Sequence, residues 1–411
     1  MGKNNFVVGL DVGTSKVSAC IGQLNDNDQI QIIGIGQAVS EGVKQGMITD
    51  LERATKAVSK AIEEAEKISG VDISEVSLGV GGSHIKSQHS RGVIAISRTD
   101  KEITPKDVER VIDQARAIPV PLEQEVIDVL PQRYIIDDQD GIVDPIGMSG
   151  IRLETEVLII SGGVAAIQNM VKVVNKAGLR IKDLVVGSLA VSSSVLLKDE
   201  KELGVALVDI GGGKTDIAVF IEGNIRYLGS LPVGGELISK DIAFGLRTSF
   251  KEAEEIKKEY GWAKRDLITN AGEISVTGIG RREARKVPVE ALVEIIEPRM
   301  EEILNIINKE IQKSNLAELI PSGLILTGGA SQLRGLEQYA EQVFGMPTRI
   351  GAPQEMLGMS SQSQNSGAAL SMGLVQLSLQ EAMESGHYYK KGKTKLFEPI
   401  ERWKHWLEDI F

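Results

Sequence analysis

The chain has 411 residues, 42% apolar and 25% charged, which excludes a disordered or collagen-like polymer and fits about two or three domains of roughly 150 residues each. With 46 basic against 57 acidic side chains its formal charge is −11, the wrong sign for a general nucleic-acid binder. A single cysteine, Cys20, excludes a disulfide framework and a cysteine-ligated zinc site, and His84, His89, His387 and His405 are too scattered for a histidine metal centre.

The N-terminal MGKNNF carries no apolar run for export, and Phe6 stands where N-myristoylation of Gly2 needs Ser or Thr. No window of about 18 apolar residues offers a membrane span, so a cytosolic body is expected. The segment FVVGLDVGTSKVSACIG at 6–22 is an apolar strand, a glycine turn and a second strand. Cys20, inside it, reads as a small core residue. The pattern returns in GVALVDIGGGKTDIAVF at 204–220: Asp11 matches Asp209, Gly13 matches Gly211 and Lys16 matches Lys214, each pair 198 residues apart. Two unrelated hairpins would share a glycine turn, but three residues in one register favour a duplication.

Between the copies, Thr49–Glu52 reads as a capping box opening a helix that stops at Gly70. EVSLGVGG is a buried strand, and Thr104-Pro105 starts a second helix. The stretch 125–136 reads as a strand interrupted by Pro131; TEVLIISGG, a helix over about 164–176 and IKDLVV then restore regular α/β alternation. In the second half, Val233–Glu236 opens a helix, 251–260 forms another, and Pro298 should break or kink the helical pattern of 289–313. GLILTGG precedes a helix ending near Phe344, and 362–383 reads as a closing helix.

Glycine turns let a backbone approach a phosphate, and a lysine adds full charge, so two such turns facing across a cleft suit a polyphosphate. Asp11 and Asp209, at the strand ends, suit a magnesium ion held through its waters. Neither turn has the Walker A spacing.

VGLDVGTSK, VDIGGGKTDIAVF and LILTGGASQLRGL resemble the phosphate 1, phosphate 2 and adenosine motifs of the actin, Hsp70 and sugar-kinase superfamily. With the helix EIIEPRMEEIL, the stretch PIGMSGIRLE and the amphipathic C-terminus, the chain resembles the bacterial cell-division family FtsA along essentially its whole length. The resemblance implies an α/β, actin-like duplicated fold: two ribonuclease-H-like halves around a nucleotide cleft, an inserted subdomain in each, and a C-terminal amphipathic helix. In its terms, 1–82 with 153–193 and 362–383 form subdomain 1A, and 83–152 form the inserted 1C. Residues 194–226 with 298–361 form 2A, 227–297 form 2B, 384–395 a flexible linker and 396–411 a membrane-targeting helix.

The resemblance puts ATP with Mg2+ against Gly13, Thr14, Ser15 and Lys16 on one side and Gly211, Gly212, Gly213, Lys214 and Thr215 on the other. Gly234 and Gly235 would pass beneath the ribose and phosphates, Glu254 and Lys257 lie beside the adenosine, and Gly328, Gly329 and Ala330 form the adenine-side turn. The glutamate or glutamine that positions the attacking water in efficient relatives is absent from VVGSLAVSSSVL, where Gly187 and Ser188 stand, so weak or no ATPase activity is expected.

In the tail, Leu396, Phe397, Ile400, Trp403, Leu407, Ile410 and Phe411 recur at helical spacing with Trp406 beside them. The stripe suits a lipid surface, and Lys390, Lys391, Lys393 and Lys395 precede it, each worth about 1 kcal/mol near anionic lipid. The tail is too short to span a bilayer, at about 16 residues where roughly 20 are needed. The implied partners are FtsZ, whose acidic C-terminal tail would meet the basic region of Arg281, Arg282, Arg285 and Lys286, with Arg285 and Arg299 as contacts; the chain itself, as a filament; other division proteins; and the inner face of the plasma membrane at the division site. An Hsp70-like chaperone would need a following β-rich domain, a sugar kinase a catalytic base, and a pilus-assembly relative would not need the tail.

Overall fold

Apolar residues flank the first glycine turn, and both flanks are strands. β1 (Phe6–Val12) pairs antiparallel with β2 (Lys16–Leu24), which pairs with β3 (Ile30–Val39). The computed structural model describes residues 6–269, 272–278, 280, 283–359 and 365–391. A short hairpin, β4 (Val43–Lys44) with β5 (Met47–Ile48), leads into α1 (Leu51–Ser69). The cap is Asp50, not the Thr49–Glu52 box: its Oδ1 accepts from the N–H groups of Glu52 and Arg53, both at 3.1 Å. A carboxylate there also meets the positive end of the helix. Gly70, at φ 73°, ends α1. β6 (Glu75–Val80) then pairs parallel with β1.

The chain next builds a separate four-stranded sheet. β7 (Lys86–Ala95) is followed by α2 (Pro105–Arg116), capped by Thr104 and Asp107, then β8 (Gln124–Ile136), β9 (Gln139–Ile142) and β10 (Arg152–Gly163). The strand order is β7-β10-β8-β9, and Val108 and Val111 of α2 share a core with Tyr134, Ile136 and Leu153. Two sequence expectations change here. TEVLIISGG belongs to this sheet and not to the first half's, so the insertion does not end at 152. Pro131 does not interrupt β8; a register shift opposite Glu156 and Val157 takes up its missing donor.

After α3 (Val164–Lys176), β11 (Arg180–Val186) pairs parallel with β6 and closes the first sheet, in order β11-β6-β1-β2-β3. α4 (Gly187–Val195) and α5 (Lys198–Leu203) lead to the second half. There β12 (Val205–Ile210), β13 (Thr215–Ile221) and β14 (Asn224–Leu231) repeat the first meander, followed by α6 (Gly235–Gly245), α7 (Phe250–Tyr260), β15 (Glu273–Val276), β16 (Arg285–Pro288) and α8 (Val289–Lys313). β17 (Leu324–Thr327), α9 (Leu336–Phe344), β18 (Thr348–Ile350) and α10 (Ala369–Lys391) complete the described chain. The second sheet runs β18-β17-β12-β13-β14, the topology of the first.

Four more expectations shift. The boundary at 226/227 cuts β14, and that at 297/298 cuts α8. α8 passes through Pro298 unbroken, because Leu292, Val293 and Ile296 before it and Met300, Ile303 and Leu304 after it are buried on one face. Packing of that face outweighs the one lost hydrogen bond. Residues 384–391 of the expected flexible linker continue α10 as helix; Gly386 alone does not stop a helix already nucleated. The chain divides into two compact units, Met1–Ser83 with Met170–Leu377, and His84–Asn169 with the chain from Ser378.

The first sheet depends on close backbone packing. A Cβ on Gly36 would lie 2.0 Å from Ala61 O and 2.3 Å from Ala65 N of α1. Gly36→Ala should therefore cost at least about 2 kcal/mol through forced separation of strand and helix, read as a lower urea midpoint at unchanged slope. An unchanged midpoint would show that α1 is not seated on β3 in this way.

Candidate functional site

The two glycine turns are built alike. Gly13 N–H donates to Lys16 O at 3.1 Å, and Gly211 N–H to Lys214 O at 2.9 Å. The registers also match, Asp11 lying opposite Ser18 and Asp209 opposite Asp216. The turns meet tip to tip: a Cβ on Gly212 would lie 1.9 Å from Ser15 Oγ, and one on Gly213 2.8 Å from Thr14 Cγ2. A side chain at either position would push the Ser15 and Thr14 side chains aside. Gln45 Nε2, donating to Pro232 O at 2.9 Å, ties the halves beside it. Thr14 Oγ1 is buried at this junction with no hydrogen-bond partner, which marks a place for a polar ligand atom. Thr215 is spent differently, its hydroxyl donating to Val233 O at 2.8 Å.

Asp11 and Asp209 keep some surface open but are crowded by protein. That desolvation, relieved in part by Lys214 and Lys16, pushes Asp11 up to about 6. Desolvation and the neighbouring Asp216 push Asp209 up to about 7. Burial also lowers Lys16, against the pull of Asp11. Two desolvated carboxyls beside a glycine turn suit a cation.

On the other side, Lys257 Nζ donates to Glu254 Oε2 at 2.7 Å, Ser239 Oγ at 2.8 Å and Gly235 O at 2.9 Å. Burial lowers Lys257; Glu254, despite its own burial, is held below the ordinary range by that ammonium. A Cβ on Gly235 would lie 2.9 Å from Ala330 Cβ and 3.4 Å from Lys257 Nζ, so these three residues are neighbours. The N–H groups of Gly235 and Glu236 donate to Gly211 O and Gly212 O at 2.9 and 2.8 Å. The first turn of α6, with Gly234 at its cap, thus braces the second glycine turn. Gly328, at φ 88°, must be glycine, since a Cβ there would meet Asp209 Oδ1 at 2.2 Å, whereas a Cβ on Gly329 would meet open space.

Sequence reasoning missed Gln45, Asp216 and Ser239, and also Ser366, which donates to Gly328 O at 3.0 Å. Only Asp216, two residues after Lys214, carried a visible signal. Arg285 and Arg299 lie outside the cleft's hydrogen bonds: Arg285 donates to Leu246 O at 2.6 Å, and Arg299 pairs with Asp241 and Glu302. Arg281, Arg282, Lys393, Lys395 and the expected membrane residues Leu396, Phe397, Ile400, Trp403, Trp406, Leu407, Ile410 and Phe411 lie outside the described residues. No described helix is long and apolar enough to cross a membrane.

The model of cell division protein FtsA matches residues 206–373, and that of the SHS2 domain inserted in FtsA matches 82–161. The chain is 40% identical to cell division protein FtsA of Pseudomonas aeruginosa, across 99% of this chain and 98% of that one. The chain belongs to the FtsA family.

To FtsA of Escherichia coli the identity is 36%, with coverage of 99% and 98%. Among solved structures, the chain resembles the PilM–PilN type IV pilus biogenesis complex at TM-score 0.66 and 16% identity, covering 91% of this chain and 98% of that one. MreB5 of Spiroplasma citri bound to ADP matches at TM-score 0.56 and 15% identity, covering 93% and 98%, and the MamK double helical filament at 0.52 and 13%, covering 90% and 98%. The fold is the expected actin-like one, with an SHS2 domain inserted in its first half. The SHS2 match takes in most of β10, in agreement with the sheet.

In this FtsA-family site the two raised carboxyls make stability depend on pH. Their folded values exceed the ordinary 3.8, so the folded state holds more protons than the unfolded state between about pH 4 and pH 7. Their contribution is greatest in acid and is lost as pH rises through that window. Asp209→Asn removes the larger share: relative to wild type, the ligand-free variant should gain melting temperature steadily from pH 5 to pH 8, by about 1–2 °C per kcal/mol recovered. A pH-independent difference would refute the burial of this carboxyl.

Proposed function

We propose that this chain binds ATP with Mg2+ between its glycine turns, assembles into filaments at the inner face of the plasma membrane, and tethers FtsZ filaments there during septum formation. The observation that carries the nucleotide step is the tip-to-tip meeting of Thr14-Ser15 with Gly212-Gly213 beside an unpartnered buried hydroxyl. Lys16 and Lys214 would face phosphates, and Asp11 and Asp209 the ion. Among the described residues no group of three or more His, Cys, Asp or Glu is placed to hold a metal ion by itself, so phosphates and water would supply the remaining magnesium ligands. MreB5, similar in fold, is described with ADP bound.

Slow turnover is supported at α4. A Cβ on Gly187 would lie 3.1 Å from Leu370 Cδ1 and 3.3 Å from Val80 O, and Ser188 is buried. No carboxylate or amide stands there to position water, so ATP acts as a structural ligand that stabilises the state binding it. Mg-ATP should raise the melting temperature, and Gly212→Val should abolish the rise by separating the turns. No rise in wild type would refute the nucleotide step.

The tether is carried by the tail's sequence. Large apolar side chains contribute roughly 1.5–3 kcal/mol each when fully buried, so partial insertion of seven gives reversible surface binding. For FtsZ, the ion pairs of Arg299 set a cost, because an acidic peptide must displace Asp241 or Glu302. Deleting 396–411 should leave ATP binding intact while abolishing co-pelleting of FtsZ with anionic liposomes. Trp403→Glu should have most of that effect, since a carboxylate in the apolar stripe must be dehydrated or lift the helix out. Co-pelleting that survives the deletion would overturn the tether.

A further inference from the structure

The two lysines that duplication makes equivalent do not have equivalent surroundings. Asp216 lies directly opposite Asp209 across β12 and β13, so both carboxylates rise from one face of the sheet. In the first half the position opposite Asp11 is Ser18, whose hydroxyl meets Ser371 Oγ at 3.1 Å. Lys16 therefore has no carboxylate two residues on, while Lys214 is held by Asp216 through its Nζ.

Lys214 is also enclosed. Its side chain is 18% exposed and that of Asp216 9%. It reaches out of the second half into the first, where two glycines make its channel. A Cβ on Gly46 would lie 3.2 Å from Lys214 Cδ, and one on Gly81 2.4 Å from Nζ and 3.1 Å from Asp216 Oδ2. Asp216, Asp209 and Asp11 are the carboxylates acting on the ammonium, and the last two are those that would face a divalent ion. Like-charged neighbours across a sheet are unfavourable unless a cation lies among them, and here the protein brings its own.

We propose that Lys214, besides facing the phosphates with Lys16, is a built-in cation for the Asp11, Asp209 and Asp216 cluster, so that the site takes a nucleoside triphosphate with or without a divalent ion at similar affinity. This rests on the nucleotide-binding reading above. A fixed ammonium among the carboxylates screens their repulsion of the incoming phosphates, the task a divalent ion otherwise performs. Its charge also weakens any divalent ion placed beside it, so magnesium adds little.

The test is ATP affinity of the full chain by calorimetric titration, in excess EDTA and in magnesium. For wild type the two dissociation constants should agree within about threefold. K214M keeps the stem between Gly46 and Gly81 but removes the charge; its affinity in EDTA should fall by about tenfold or more and recover with magnesium. A wild-type affinity that collapses in EDTA, or a K214M affinity indifferent to EDTA, would overturn the built-in cation while leaving nucleotide binding standing. If K214M does not fold, the wild-type comparison decides alone. No binding in either buffer would instead remove the nucleotide reading itself, and the proposal with it.

Discussion

The close approach of two glycine turns is the constraint on which the first unit depends. Gly212 and Gly213 approach Ser15 and Thr14 so closely that an added side chain would force those two side chains to move. Everything around the contact holds those tips in place. Each turn closes on its own lysine carbonyl and hangs from a strand pair in the middle of a sheet, where neighbours on both sides fix its direction. The second turn is further held by α6, whose first N–H groups are satisfied by Gly211 and Gly212 carbonyls. Gly328, folded back over Asp209, closes the same corner from β17. A ligand entering such a junction meets backbone already paid for by the fold, so little ordering is left to oppose binding.

Near-symmetry makes the differences informative. The two meanders share topology, register and turn bond, yet Ser18 stands where the other half has Asp216. The first half is therefore left with one cleft carboxylate and a lysine that has burial working against its charge. The second gathers two carboxylates around a lysine that reaches into its sister half. On the nucleotide-binding reading, the duplicated scaffold would present two electrostatically distinct walls to one ligand without any change of fold.

Much of this was legible in the sequence, for identifiable reasons. The turns, the duplication and α1 were read correctly because glycine placement, a shared Asp-Gly-Lys register and helical spacing are local signals. The sheet that β10 joins was not, since Leu158, Ile159 and Ile160 are buried whichever sheet receives them, and a continuous apolar run carries no address. Pro131 and Pro298 misled for a common reason. Proline's penalty is local, and a bulge in β8 and a long buried face on α8 outweigh it. Asp50 displaced Thr49 as cap by one residue, a shift well within what capping preferences can resolve. In the cleft, Gln45 and Ser366 come from loops far away in sequence, and nothing in their neighbours announces them.

The cleft also carries a cost that a merely structural junction would not accept. Asp11, Asp209, Asp216, Lys16 and Lys214 are crowded into one place, and desolvation works against the charged form of both lysines and of Asp11 and Asp209. Hydrophobic side chains of similar volume would hold the two halves together as well or better. Charges retained at such expense support the proposed ligand, whose own charges they would meet. On the proposed reading, the free energy lost in gathering these charges would be recovered on binding, and the ligand would stabilise the arrangement that binds it. With Gly187 and Ser188 where a water-positioning group would stand, such stabilisation is, on that reading, what a nucleotide would contribute. Burial of charge at this junction, more than any catalytic constellation, would on that reading couple the ligand to the meeting of the two turns.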